Sequence, residues 1–219
     1  MIKVFIGGSR AASQLNKDLT QRIDNILEKN YQILIGDANG ADKAVQKYLF
    51  EKDYKNVVVF CMGNQCRNNI GRWQSEHIHA AKGKNGFDYY STKDLKMAME
   101  SDYGFMIWDA ISKGTLNNII NLLKINKKTL VYFCPEEKFY DVRMFDDLKG
   151  ILSRCSKESL EKFEKDLNLS ETLNTASCVQ PALNFTHEES MKSKGTEMLE
   201  EPVIDQHPVH IREGASLHQ

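Results

Sequence analysis

Five short runs of β-branched and aromatic residues, separated by segments with helical apolar spacing, leave this chain few folds to choose from. The runs cover residues 2–6, 31–35, 57–61, 103–108 and 129–134. Each is nearly continuous in apolar residues, which is the pattern of a strand buried on both faces. Between them, Leu15, Leu19, Ile23, Ile26 and Leu27 share one helical face. Ala44, Val45, Tyr48 and Leu49 share a second, and Leu116, Ile119, Ile120, Leu122 and Leu123 a third. Strand, helix and strand in repetition imply a parallel sheet with crossover helices. The expected fold is α/β, a Rossmann-like three-layer α/β/α domain over residues 1–135 with a mainly parallel sheet, followed by a helical and disordered C-terminal extension.

The longest apolar runs, such as residues 57–62, are strand-sized, far short of the ~20 residues of a membrane span. The N-terminus has no basic leader and runs into a glycine turn after a short apolar stretch, so a secretory signal is not expected. These features point to a cytoplasmic protein without a membrane partner. The net charge of −1 conceals an asymmetry, because residues 171–219 carry eight acidic and three basic side chains and leave 1–170 at +4. A mildly positive body suits a small anionic ligand and argues against duplex nucleic acid, which requires a concentrated basic face. The five cysteines contain no CxxC pair and are expected to be reduced thiols, with Cys61 and Cys134 as small core residues. Self-association is left open.

Residues 62–91 follow neither the strand nor the helix period, and a connection of this length is functional or partly helical. Residues 93–100 then read as a short helix. After Pro135, residues 136–168 form a helical extension, with helices expected over 141–152 and 157–167. Residues 169–219 hold three of the four prolines and four of the six histidines, and read as a polar, disordered tail. A short docked helix over 189–200 is the competing reading.

Three small-residue turns follow strands. Gly7-Gly8-Ser9-Arg10 ends the first run, where glycines let backbone approach a ligand and Arg10 offers a fork of donors for phosphate or carboxylate. Gly36-Asp37-Ala38-Asn39-Gly40-Ala41-Asp42 follows the second and opens a helix whose first-turn amides favour an anion. Asp42 either caps that helix or accepts a ribose hydroxyl. Asp109 and Ser112-Lys113-Gly114-Thr115 follow the fourth run and open another helix, for which a plain Ser-capped start is the simpler account. Arg67 and Arg72 with Trp73 are placed to close over a ligand, although a buried structural Trp73 is preferred. His77 and His79, spaced i, i+2, lack a supporting Cys or carboxylate set, so neither a metal nor a cofactor is expected.

In these motifs the chain resembles the SLOG superfamily of Rossmann-like domains, which includes LOG phosphoribohydrolases, DprA proteins, molybdenum-cofactor carriers and YspA/YpsA-like proteins. The resemblance covers residues 1–135. It rests on Gly7-Gly8-Ser9-Arg10, on Gly36 to Asp42 as a GxAxGAD element, on the Arg67-Asn68-Asn69 step, and on Ser112 to Thr115, and it is nearest the YspA-like members. It implies a pocket for a nucleotide or nucleotide-derived ligand built from Gly7, Gly8, Ser9, Arg10, Gly36, Asp37, Ala38, Gly40, Ala41, Asp42, Arg67, Asn68, Asp109, Ser112, Lys113, Gly114, Thr115 and Asn118. Where LOG hydrolases carry a glutamate three residues after the threonine, this chain has Asn118, a neutral amide. The expected function is therefore binding or sensing of a ribose-phosphate ligand. The alternative is an N-glycosidase or ribosyl transferase using Asp37, Asp42 or Asp109, and a DprA-like single-strand binder is the third reading.

Overall fold

The computed structural model describes residues 1–81, 83 and 85–177. Five parallel strands form the centre of the sheet: β1 (Lys3–Gly8), β2 (Gln32–Gly36), β3 (Val57–Met62), β5 (Tyr103–Trp108) and β6 (Thr129–Phe133). Two strands complete it at the edges: β4 (Gln74–Ile78), parallel to β3, and β7 (Lys138–Val142), antiparallel to β6. The order is β4-β3-β2-β1-β5-β6-β7. The architecture is the expected Rossmann-like α/β fold.

Because successive strand residues point to opposite faces, the apolar runs split into two cores. One face buries Phe5, Leu34, Phe60, Met106, Trp108 and Phe133 under α3 (Gly86–Glu100), α4 (Lys113–Lys124), α5 (Phe145–Leu152) and α6 (Lys157–Leu167). The other buries Val4, Ile6, Ile33, Ile35, Val59 and Ile107 under α1 (Lys17–Glu28) and α2 (Ala41–Glu51). The strand order reverses between β1 and β5, where Gly8 pairs with Ile107. In an open parallel sheet this reversal leaves a crevice beyond the carboxyl ends of the two strands.

Four local readings change. The segment 62–91 contains β4, whose polar sequence QSEHI hides an edge strand. The helix expected from residue 93 begins at Gly86. The helix expected over 141–152 begins at Phe145, because Val142 is still paired with Thr129 and the Asp147 carboxylate accepts the amides of Arg143 (2.8 Å) and Met144 (3.0 Å) to open the first turn. Residues 169–177, expected to be tail, form α7 (Leu169–Ser177), with Leu169 buried in the core. The remainder of the tail, including the alternative helix over 189–200, lies outside the described residues.

The cysteine reading is also corrected. Cys61 and Cys66 form a disulfide, their Cα atoms 5.0 Å apart. A turn at Gly63 (φ 71°), whose amide donates to the Ile78 carbonyl (2.9 Å), folds the chain back so that residues five apart meet. Cys134 and Cys155 are free, and burial pushes each thiol up to about 11, away from reactive thiolate.

Candidate functional site

A cleft of about 720 Å³ opens at the reversal point, within the size range of small-molecule sites. Its first wall is the turn after β1. Gly8 has no room for a side chain, since a Cβ there would lie 2.6 Å from the Ile107 carbonyl oxygen and 2.7 Å from the Ala41 methyl. Ser9 is fully buried and holds the turns together. Its carbonyl accepts the Ala41 amide (3.1 Å), its Oγ accepts the Asp109 amide (3.1 Å), and Oγ also meets Thr115 Oγ1 (3.3 Å). Gly40, at φ 84°, presses against the Arg10 backbone. Arg10 itself is exposed at the rim.

Behind this wall the carboxylates divide by role. Asp37 is 1% exposed and does not line the cleft. It accepts the Arg67 amide (3.0 Å) and takes the guanidinium through Nε (3.1 Å) and Nη2 (2.6 Å). Burial works to raise its pKa, but the hydrogen bonds and charge of Arg67, with help from Lys93, outweigh it and hold the carboxyl below its ordinary value. Asn68 donates to the Asp37 carbonyl (2.8 Å) and to Asn39 Oδ1 (3.1 Å). Gln46 ties the Gly36 carbonyl (2.9 Å) to the Ile70 amide (3.0 Å). The Arg67-Asn68-Asn69 step thus binds the second glycine turn, and only Arg67 of the three reaches the cleft.

Asp42 does line the cleft. It is not the cap of α2, since Gly40 occupies that place without a side-chain bond, but it accepts the Ala38 amide (3.2 Å). Burial pushes its carboxyl up to about 6, against the opposing pull of Lys93. Lys93, from α3, is 4% exposed and paired with Asp94 at 2.5 Å. Burial disfavours its ammonium, yet Asp94 and Asp42 together prevail and keep it protonated above the ordinary lysine value.

The third wall is the turn into α4. The Asp109 carboxylate accepts the amides of Ile111 (3.0 Å) and Ser112 (2.7 Å), with Ala110 held at φ 64° between them. Ser112 caps α4 by accepting the Thr115 amide (3.4 Å). The amides of Lys113 and Gly114 find no acceptor among the described residues, as first-turn amides without an outside partner do not. A Cβ on Gly114 would meet nothing nearer than Ser112 Oγ at 3.9 Å, so packing does not require a glycine there. Lys113 pairs with Asp166 of α6 (2.9 Å) and lies over the Phe87 ring. Arg67 lies over Tyr90. Arg10 and Lys162, both at the rim, form no ion pair among the described residues.

Of the sequence-derived residues, Gly7, Gly8, Arg10, Ala38, Asp42, Arg67, Asp109, Ser112, Lys113, Gly114, Thr115 and Asn118 line one cleft. Ser9, Gly36, Asp37, Gly40, Ala41 and Asn68 stand behind it as supports. Arg72 is not in the wall, and Trp73 is a buried structural residue whose indole N–H donates to the Tyr54 carbonyl (2.8 Å). The sequence reading missed two contributors: α3, which brings Phe87, Tyr90, Lys93 and Asp94, and α6, which brings Lys162 and Asp166. Two aromatics and a lysine spaced by three on one helix (Phe87, Tyr90, Lys93) are the signal that was there to read.

Among the described residues no cluster of three metal-ligating side chains occurs, and no helix is long and apolar enough to cross a membrane. Compared with known proteins, the chain matches no family model, no curated protein and no solved structure.

Proposed function

We propose that the cleft binds a nucleotide or a nucleotide-derived ribose phosphate, and that the protein works as a binding or sensing module. The observation that carries this reading is the start of α4. Two amides without acceptors and a glycine with open space above it stand beside the unpaired cations Arg10 and Lys162. A helix N-terminus of this kind favours an anion through its free N–H groups and its dipole. Phe87 and Tyr90 add flat apolar surface on which a base can stack. The SLOG resemblance of residues 1–135 supports the same reading. Calorimetric titration with mononucleotides and ADP-ribose-like compounds tests it. Binding weakened about tenfold or more by Arg10→Ala is the expected outcome, and silence across the panel with folded protein counts against it.

One observation favours the hydrolytic reading enough to keep it. Asp37 is committed to Arg67 and Asp109 to its own turn, whereas Asp42 lies in the cleft wall with its carboxyl raised to about 6. A general acid works best with a pKa near the operating pH. Release of free base from a nucleotide, abolished by Asp42→Asn and retained in Asp109→Asn, would establish an N-glycosidase.

A further inference from the structure

The buried end of the cleft holds polar groups whose hydrogen-bonding capacity is unused among the described residues. Asn118 lies one turn beyond Thr115 in α4, on the same helix face, and is 7% exposed in the cleft wall. Among the described residues its Oδ1 is shut off from solvent without a hydrogen-bond partner, which is costly, and its Nδ2 keeps some exposure and has no acceptor. Asp42, equally buried, accepts only the Ala38 amide (3.2 Å) among the described residues, although a carboxylate has about four acceptor positions.

The charge at this end restricts what can supply the missing donors. Asp42 Oδ2 and Lys93 Nζ both lie over Gly36, at 2.5 Å and 2.8 Å from where its Cβ would be. One of the lysine's three N–H groups is taken by Asp94, and its ammonium would repel a ligand cation. Donors without charge face no such penalty. The rim has the opposite character, with free amides and unpaired cations.

We infer that the inner end of the ligand is an uncharged ring bearing free hydroxyl groups, which donate to Asp42 and accept from the Asn118 amide N–H, so that the cleft selects ribonucleotides over deoxyribonucleotides. This rests on the nucleotide reading proposed above and deepens it. A hydrogen bond to a charged acceptor, or a polar group left unmet in the closed cleft, corresponds to roughly a 10- to 100-fold change in affinity.

The test titrates the full chain calorimetrically with AMP, GMP, CMP and UMP and with the 2′-deoxy and 3′-deoxy counterparts of each. At least one ribonucleotide is expected to bind, with a deoxy counterpart at least tenfold weaker. In Asn118→Leu the ribonucleotide affinity is expected to fall to that of the deoxy form. The ligand-free melting temperature should hold or rise, since an unmet buried amide is replaced by an apolar group of similar size. Equal affinity for the ribo and both deoxy forms overturns the hydroxyl inference and leaves the nucleotide reading standing. Silence across all the probes with folded protein overturns both. A lower melting temperature in ligand-free Asn118→Leu marks the amide as a structural group and overturns its assignment to the ligand.

Discussion

Arg67 reaches back thirty residues to hold Asp37 through its backbone amide, Nε and Nη2 together. The bidentate fork is geometry that lysine cannot reproduce. It converts the second glycine turn and the long connection after β3 into one unit, and it leaves the Arg67 guanidinium over Tyr90 at the cleft wall.

Removing the guanidinium leaves Asp37 buried and partnered only by the Arg67 amide. A fully buried pair broken in this way costs ~3–5 kcal/mol. The Arg67 side chain is 39% exposed, and solvent screening reduces the expected cost of Arg67→Ala to about 2 kcal/mol. The Asp37 carboxyl titrates lower in the folded chain than in the unfolded one, so the pair stabilises at pH above the unfolded value. That contribution fades as pH falls through the folded one. Urea unfolding of wild type and Arg67→Ala should therefore differ at pH 7 and converge as the pH drops below 3.8. A difference that persists in acid would assign the loss to packing.

Asp42 has the opposite linkage. Its folded value of about 6 lies above the ordinary 3.8, so between these limits the folded chain binds the extra proton and stability falls as pH rises. At ~1.4 kcal/mol per pH unit, the ionised carboxylate costs roughly 3 kcal/mol at pH 7 relative to pH below 3.8. Unfolding free energies measured across pH 4–7 at fixed ionic strength should decline through this window, and Asp42→Asn should flatten the decline. An unchanged profile in the variant would place the responsible group elsewhere.

The sheet was legible because its central strands are written in one alphabet. VVVFCM in β3 is buried at all six positions, and no helix or loop reading accommodates such a run. The edge strand QSEHI carries no comparable signal because only one flank of it is paired. The start of α3 was missed for a related reason: Phe87 and Tyr90 line the cleft and Lys93 is buried beside Asp42, so the first two turns lack the apolar stripe that packs Met97 and Ala98. The glycine turns were visible as motifs, but their division into wall and support was not. Asp37 looks like a ligand carboxylate until Arg67 is brought to it, and a pairing across thirty residues leaves no local trace.

Gly114 and Gly40 have different reasons for lacking a side chain. Gly114 has helical company and empty space, so Gly114→Ala should leave the fold intact or add up to ~1 kcal/mol through helix propensity. Gly40 sits at φ 84° against the Arg10 backbone, and Gly40→Ala should cost at least ~2 kcal/mol from strain and contact together. Thermal melts and nucleotide titrations separate the two cases. Gly114→Ala is expected to lose affinity at an unchanged or raised melting temperature, and Gly40→Ala to lose both. Retained affinity in Gly114→Ala would remove the ligand from the start of α4.

The Cys61–Cys66 bond pins the first residues of the connection that carries Arg67 to the end of β3. Closing so short a loop restricts the unfolded chain by about 2 kcal/mol in the chain-entropy picture, a shift of roughly 4–8 °C for a domain of this size. A dithiol reductant should lower the melting temperature by that amount. Cys66→Ser should melt at the reduced temperature whether or not reductant is present. Because the freed segment ends one residue before Arg67, nucleotide affinity should fall in both cases through looser positioning of the guanidinium, more than in a Cys155→Ser control whose thiol, in the connection between α5 and α6, packs partly buried against the core. Thiol titration that finds Cys61 and Cys66 free in protein never exposed to reductant, with a melting temperature indifferent to dithiol, would refute the bond and leave Asp37, Asn68 and Gln46 as ties on the connection.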